Sequence, residues 1–138
     1  MTQQLEKKYT NDFFKEHFVD CHVQRRAALG PSQVPMINTQ LGVITRWADA
    51  IVFEPMLITI IEFKLEPKGD AVGQLDLYEQ MFGQTPAFQQ YWDRQIKKLL
   101  VTTRVDDHVQ ELAESHNIEY KVFRPEGIEF WEKRRFRI

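Results

Sequence analysis

The sequence contains a single cysteine, Cys21, so the chain cannot form an internal disulfide bond. This scarcity favours a reducing compartment such as the cytoplasm. No apolar run approaches the length needed to cross a bilayer. The first segment, MTQQLEKKYTNDFFKEHF, is too rich in charged residues for a signal peptide. We therefore expect a cytoplasmic protein without a membrane partner.

The chain also lacks an excess of positive charge, because its formal net charge is −2. No overall field would attract nucleic acid, so any such binding has to come from local basic patches. The chain does have a hydrophobic content of 43% and an aromatic content of 12%, which is typical of a globular protein. Its length of 138 residues predicts one domain over residues 1–138.

The spacing of apolar residues predicts an alternation of helices and strands. Helices are predicted at residues 4–24, 70–82, 85 to about 93 and 105–117, and strands at residues 41–53, 57–65, 96–103, 118–123 and 128–136. Gly30, Pro31 and Pro35 separate the first helix from the first strand. This order predicts an α/β fold with a mixed central sheet flanked by helices.

The segment IIEFKLE, residues 60–66, places Glu62 and Lys64 in an otherwise apolar strand. A four-residue hairpin loop, Glu54 to Leu57, would set Asp49 of the preceding strand opposite Glu62, whereas a three-residue loop would put the two carboxylates on opposite faces. We prefer the four-residue loop because it matches apolar with apolar residues. Its pairs are Phe53–Ile58, Ile51–Ile60, Asp49–Glu62 and Trp47–Lys64.

Two neighbouring carboxylates either share a proton or bind a cation. Such a pair suits Mg²⁺, which takes one or two carboxylates and keeps several waters. Lys64, on the same face as Glu62, could stabilise the negative charge that develops on a phosphate. The alternative is an ordinary exposed ion pair between Glu62 and Lys64, which would contribute little. The matching Asp49 favours the functional interpretation.

These motifs resemble the PD-(D/E)XK nuclease superfamily. RWAD ends at Asp49, IEFK contains Glu62 and Lys64, and GQLDLY contains Gln74 and Tyr78 in the family's Q-x-x-x-Y pattern. The resemblance extends over roughly residues 5–103, and the one departure is an alanine in place of the proline that precedes the aspartate. It implies a restriction-endonuclease-like fold with an α-β-β-β-α-β core.

The resemblance also implies roles for these residues. Asp49, Glu62 and the backbone carbonyl of Phe63 would bind Mg²⁺, for which Mn²⁺ could substitute, and Lys64 would assist phosphodiester hydrolysis. A glutamate of the first helix often joins the metal site in this family. Glu16, which lies among aromatic residues, is preferred here over Glu6 near the helix start.

Gln74 and Tyr78 share one helical face, where they would touch the lysine or a substrate phosphate. For the ring of Tyr78, ordinary core packing is the alternative. Basic residues that could contact phosphate are Arg46, beside the Asp49 strand, and Arg25 and Arg26, at the end of the predicted first helix. Of these, Arg46 is the one we connect with substrate. A run of charge is usually a solvated face, which is the interpretation for the C-terminal residues Lys133, Arg134, Arg135 and Arg137.

The function that the resemblance implies is a Mg²⁺-dependent endonuclease that acts on DNA. The alternative is a catalytically inactive member that binds nucleic acid or a partner protein through the same fold. A homodimer would suit small members of the family. The sequence does not distinguish DNA from RNA, or duplex from single-stranded or branched substrates.

Overall fold

The computed structural model describes residues 2–31 and 45–136. The helices are α1 (Thr2–Glu16), α2 (Asp70–Phe82), α3 (Asp107–Ser115) and α4 (Ile128–Phe136), and a 3₁₀ helix spans Pro86–Tyr91. The strands are β1 (His22–Leu29), β2 (Arg46–Phe53), β3 (Leu57–Lys64), β4 (Gln95–Thr102) and β5 (Ile118–Val122). Residues 41–44 of the predicted first strand, and Pro35, lie outside the described residues. In the described part, no helix is both long and apolar enough to span a bilayer.

The five strands form one mixed sheet in the order β1-β2-β3-β4-β5. The first three strands are antiparallel neighbours, and β4 and β5 continue the sheet parallel to β3. Parallel neighbours need a crossover connection, which α2 supplies between β3 and β4 and α3 supplies between β4 and β5. The expected mixed sheet with flanking helices is thus confirmed, and α1 to β4 form the expected α-β-β-β-α-β core.

Helices cover both faces of the sheet. We call the side packed by α1 and α4 the α1 face, and the side packed by α2 and α3 the α2 face. Strand β3 is buried on both sides, because Ile58 and Ile60 point to the α2 face while Ile61 points to the α1 face. A strand covered on both sides is apolar almost throughout, which explains the sequence of this segment.

Helix α1 is shorter than the sequence predicts. Leu5, Tyr9 and Phe13, each four residues apart, pack on the sheet, but the helix ends at Glu16 and Phe18 adopts a left-handed conformation with φ of 60°. The prediction of one helix over residues 4–24 is therefore wrong beyond residue 16. Residues 22–29 instead form β1, because hydrogen bonding to β2 outweighs the helical spacing of the apolar residues.

The predicted last strand, residues 128–136, is also wrong. Gly127, with φ of 90°, precedes a helix in which Ile128 and Trp131 lie three residues apart and face the protein. Four apolar residues in a short charged segment fit either period, so the sequence alone does not separate helix from strand. As a helix, this segment packs on the same face of the sheet as α1.

We predict that Phe13 anchors α1, because its ring is fully buried among several aromatic rings. Phe13→Ala should lower the free energy of unfolding by about 3–5 kcal/mol. Phe130, which is 67% exposed on α4, provides the matched control, and Phe130→Ala should change stability by less than about 0.5 kcal/mol. Chemical denaturation measures both. Equal effects of the two substitutions would contradict this packing.

Candidate active site at the end of the β2–β3 hairpin

The hairpin between β2 and β3 has the register that the sequence predicts, although only Pro55 and Met56 of the predicted four-residue loop lie outside the pairing. Glu54 and Leu57 exchange backbone hydrogen bonds of 2.9 and 3.4 Å, and Phe53–Ile58 and Ile51–Ile60 are opposed. The ladder ends at Ala50–Ile61. The predicted pairs Asp49–Glu62 and Trp47–Lys64 therefore do not form as ladder pairs, because β2 leaves β3 one residue before the first of them.

Where the ladder stops, the side chain of Asp49 accepts a hydrogen bond that the backbone of β2 would otherwise accept. In an antiparallel pair, hydrogen-bonded positions recur at every second residue, so continued pairing would make the Phe63 N–H donate to the Ala48 carbonyl. The Phe63 N–H donates instead to Asp49 Oδ2, at 2.8 Å. This hydrogen bond holds the Asp49 carboxylate against β3, beside Glu62.

The pairing between β1 and β2 is interrupted at the same place. Arg26, which would oppose Asp49, has φ of 50° and is left out of the ladder, which resumes at Ala27–Ala48. The alternation of side chains along β2 is also reversed here. Val52 and Ala48 are four residues apart and would share a face in a regular strand, yet Val52 packs on the α1 face and Ala48 on the α2 face. Asp49 thus lies at a break in pairing on both of its sides, which frees its side chain for the site.

Glu62 is the buried carboxylate of the site, with only 5% of its surface exposed. Its Oε2 accepts a hydrogen bond of 3.2 Å from the Tyr78 hydroxyl. Burial, followed by the hydrogen bond and the negative charge of Asp49, raises the pKa of Glu62 to about 9, although Lys64 and Tyr78 oppose the rise. At neutral pH the Glu62 carboxyl therefore keeps its proton in the metal-free protein. Burial and the nearby Glu62 also raise the pKa of Tyr78.

Lys64 and Gln74 flank this pair. Lys64 is half-buried, and its Nζ lies 3.8 Å from Oδ2 of Asp70, the first residue of α2. Gln74, one turn before Tyr78, has a buried Oε1 that has no hydrogen-bond partner in the described structure. Tyr78 contacts Glu62, whereas the contact predicted between Tyr78 and Lys64 or a substrate phosphate stays a prediction. The contact predicted between Gln74 and Lys64 stays a prediction.

A cavity of about 610 Å³ opens beside the two carboxylates. The residues that line it are Glu6, Asp49, Glu62, Phe63, Lys64, Leu65, Glu66, Lys68 and Trp131. The helical glutamate in this set is Glu6, not Glu16. Ten residues separate the two along α1, or about 15 Å at 1.5 Å per residue. The geometry therefore disagrees with the choice of Glu16, because α1 is already regular at Glu6 and directs that end of the helix to the cavity.

Sequence reasoning did not identify Lys68 and Trp131 as part of this site. Lys68 follows β3 in the loop before α2, and Trp131 belongs to α4, the helix that the sequence presented as a strand. Without α4 on the α1 face, no pattern in the sequence places Trp131 near Asp49. The signal that could have found Lys68 is its position just after the Glu62–Lys64 strand.

The three arginines predicted to contact nucleic acid lie in β1 and β2, and Arg25 and Arg26 are not at a helix end. The Arg25 guanidinium donates to Asn11 Oδ1 at 3.0 Å and lies 5.2 Å from the Phe14 ring centre. Burial lowers the pKa of Arg25, while the charge of Asp49 opposes this shift. Arg46 is exposed and close enough to Tyr78 for its charge to affect the tyrosine pKa.

The donor set fits a small divalent cation that keeps most of its waters. In the part of the chain that the structure describes, no three Asp, Glu, His or Cys side chains are grouped closely enough to hold a metal ion by themselves. The Asp49 side chain nevertheless hydrogen-bonds to Glu62, and its charge helps to raise the pKa of Glu62, an unfavourable pairing that a cation would relieve. Two carboxylates with water as the remaining ligands match the preference of Mg²⁺.

Comparisons with known proteins support the fold. No protein-family model and no curated protein sequence matches the chain. A solved structure of a repair endonuclease from Pyrococcus abyssi matches with a TM-score of 0.53 and 12% identity, over 86% of this chain and 47% of that one. EndoMS in a complex with double-stranded DNA matches with a TM-score of 0.53 and 15% identity, over 87% of this chain and 45% of that one.

The apo form of EndoMS also matches, with a TM-score of 0.50 and 16% identity, over 87% of this chain and 46% of that one. The fold is that of the restriction-endonuclease-like nucleases. The chain spans less than half the length of these structures, and at such low identity the likeness concerns the fold alone. Its site has to be argued from its own residues.

We predict that Glu62 makes the stability of the metal-free protein fall as pH rises. Between the ordinary pKa of a glutamate and the raised pKa of about 9, the unfolded chain releases a proton that folded Glu62 keeps. The free energy of unfolding therefore decreases by at most about 1.4 kcal/mol per pH unit in this window. Glu62→Gln removes this contribution, so the free energy of unfolding of the variant should rise relative to that of the wild type between about pH 5 and about pH 8.

Chemical denaturation in EDTA at several pH values measures this difference. The comparison between the two proteins cancels the titration of all other groups, which they share. Parallel stability curves for wild type and Glu62→Gln would show that Glu62 is ionised in the folded protein.

Proposed function

We propose that this chain is a metal-dependent nuclease that hydrolyses phosphodiester bonds in DNA. The observation that carries the proposal is the contact between Asp49 and Glu62 at a break in the sheet, with Lys64 beside them and a cavity in front. Two carboxylates brought together in this way destabilise the fold unless a proton or a cation lies between them. The restriction-endonuclease-like fold agrees with this chemistry.

Asp49, Glu62 and the Phe63 carbonyl would hold the cation, which we propose is Mg²⁺, with Mn²⁺ able to replace it. When bound, such an ion supplies charge stabilisation at the phosphate and a more acidic water. The hydrogen bond from the Phe63 N–H fixes one oxygen of Asp49, and the Tyr78 hydroxyl fixes one oxygen of Glu62. The remaining oxygen of each carboxylate is then available to the cation.

Lys64 would donate to a phosphate oxygen and so stabilise the negative charge of the transition state. Its ion pair with Asp70 is long, at 3.8 Å, and Asp70 is 59% exposed, so a phosphate can replace this partner at little cost. The amide of Gln74 is the second polar group that α2 offers. Its unpartnered Oε1 could accept a hydrogen bond from the Lys64 ammonium or from a water of the site.

Glu6 replaces Glu16 in this proposal as the carboxylate contributed by the first helix. It lines the cavity from the α1 side, where it could bind a water or a cation ligand. The basic side chains of Arg25, Arg26 and Arg46 surround the Asp49 end of the sheet. They would contact the phosphate backbone and supply the local positive charge that a chain of net charge −2 needs for binding nucleic acid.

DNA is the proposed substrate because one of the similar structures, EndoMS, is solved with double-stranded DNA. A homodimer would place two sites on one DNA molecule, and sedimentation of the chain with and without DNA would test that assembly. The expectation of a cytoplasmic location continues to depend on the single Cys21.

We predict that the chain nicks DNA in Mg²⁺ or Mn²⁺ and that EDTA abolishes the reaction. Lys64→Ala should slow cleavage by about a hundredfold or more, because a group of this kind acts on the transition state. Its Mn²⁺ affinity should stay the same or rise, because a nearby positive charge is removed. Glu62→Gln should weaken both cleavage and Mn²⁺ binding.

Cleavage rates on single-stranded, duplex and branched DNA and on RNA, together with Mn²⁺ titrations and melting temperatures, measure these effects. Binding of nucleic acid without cleavage of any substrate would favour the inactive binding protein instead. A wild type that neither binds nor cleaves nucleic acid would overturn the proposed function.

The two glutamates of α1 offer a matched pair of variants. Both are exposed and lie on the same helix, so either substitution should leave the stability nearly unchanged. We expect Glu6→Gln to reduce the cleavage rate and Glu16→Gln to leave it at the wild-type value, because only Glu6 lines the cavity. A loss of activity in Glu16→Gln alone would instead favour Glu16 as the helical carboxylate.

A further inference from the structure

An exposed stack of an arginine on a tryptophan lies next to the proposed site. The Arg26 guanidinium carbon is 5.4 Å from the centre of the Trp47 ring, within the range of a cation–π contact. Trp47 is 43% exposed, although it belongs to β2 and follows Arg46 at the start of the strand. A large aromatic side chain left this open on a strand is available to a ligand.

The stack lies on the side of the sheet that carries the cavity. Trp47 precedes Asp49 by two residues, or about 6.6 Å along an extended strand. Because Ala48 packs on the α2 face, its neighbour Trp47 points to the α1 face. The cavity is lined from that same face by Glu6 and Trp131.

The surroundings of the stack are positively charged. Arg25 precedes Arg26 and lies beside the Phe14 ring on the α1 face, whereas Arg46 lies toward α2, where its charge affects Tyr78. In residues 2–31 and 45–136 neither Arg26 nor Arg46 forms an ion pair with a carboxylate. A stacking surface amid such guanidinium groups matches the chemistry of nucleic acid, which offers a flat base and a phosphate on each nucleotide.

The backbone of Arg26 adopts a strained conformation where its side chain lies over Trp47. Its φ of 50° lies in the left-handed region, which arginine seldom adopts, and this conformation takes Arg26 out of the strand ladder. Its guanidinium then lies over Trp47 instead of pairing with an acidic side chain. Strain at an exposed position next to a polar cavity indicates a function more often than a packing requirement.

We propose that Trp47 and Arg26 form a platform on which an unpaired nucleobase of the substrate stacks. This inference rests on the proposed nuclease function and adds the substrate class: a single strand, or a nucleotide that is unpaired close to the cleaved phosphate. A base stacked on the platform is within about two base steps of a phosphate at Asp49, given a rise of 3.4 Å per base. The bases of an intact duplex are stacked on each other and cannot reach the platform.

Binding of labelled DNA in EDTA tests the platform without requiring cleavage. The probes are a mixed-sequence single strand, the same strand with abasic sites in place of its central bases, and the corresponding duplex. The wild type should bind the single strand more tightly than the other two. Trp47→Ala should weaken binding of the intact single strand about tenfold and leave the abasic strand nearly unaffected, since that strand retains its phosphates but has no base to stack.

Two further variants of the platform separate stacking from folding. Trp47→Phe keeps an aromatic ring and should retain most of the affinity. Arg26→Asn removes the guanidinium but keeps a residue that tolerates the left-handed backbone, so it should weaken single-strand binding at an unchanged melting temperature. The control is Phe130→Ala, which disrupts another exposed pair, the Phe130 ring with Arg134 at 5.8 Å, and should bind like the wild type.

The outcomes distinguish this inference from the proposed function. Metal-dependent cleavage by the wild type, with equal binding of intact and abasic strands by wild type and Trp47→Ala, would overturn the platform and leave the nuclease standing. Loss of single-strand binding in Trp47→Ala, in a protein that cleaves nothing, would support the platform and overturn the nuclease. No binding of any nucleic acid by the wild type would overturn both and favour a protein partner for Trp47.

Discussion

The hydrogen bond from the Phe63 N–H to the Asp49 carboxylate determines the architecture of this site. A backbone donor at this position would otherwise pair with β2 and close the sheet. Because a side chain satisfies it, β2 can separate from β3 without leaving the amide unpaired. The separation opens the cavity, and the same hydrogen bond keeps Asp49 in contact with Glu62. The structural break and the reactive pair therefore have one cause.

The electrostatics of the site follow from that contact. Glu62 is buried beside a second carboxylate, which is unfavourable for the folded chain when both are ionised. The Tyr78 hydroxyl and the Lys64 ammonium offset part of this cost, and protonation of Glu62 offsets the rest in the metal-free protein. A buried carboxyl group that lowers the stability of the fold is expected at a catalytic site and is hard to explain by a structural role alone.

The sequence is sufficient for the parts of the fold that local patterns determine. The register of the β2–β3 hairpin follows from matching apolar residues across the two strands, and it brings Asp49 to the end of the ladder beside Glu62. Strand β1 cannot be found in this way because three consecutive exposed residues, Gln24, Arg25 and Arg26, interrupt any alternation, and pairing with β2 makes the segment a strand. Only the tertiary structure shows that Glu6, and not Glu16, lines the cavity, because which end of α1 reaches the cavity depends on how the helix crosses the sheet. The interruption at Arg26 and the position of Trp131 are likewise tertiary features.

We propose that Asp49 and Glu62 together form a cation site in which a metal ion replaces the proton held by Glu62. Calorimetric titration of the wild type with Mn²⁺ near neutral pH, in buffers that differ in ionisation enthalpy, measures affinity and proton release together. We expect saturable binding with release of about one proton per ion, because Glu62 has to ionise before it coordinates. We expect Asp49→Asn to abolish this binding. Absence of saturable binding, or binding without proton release that persists in Asp49→Asn, would contradict the proposed cation site.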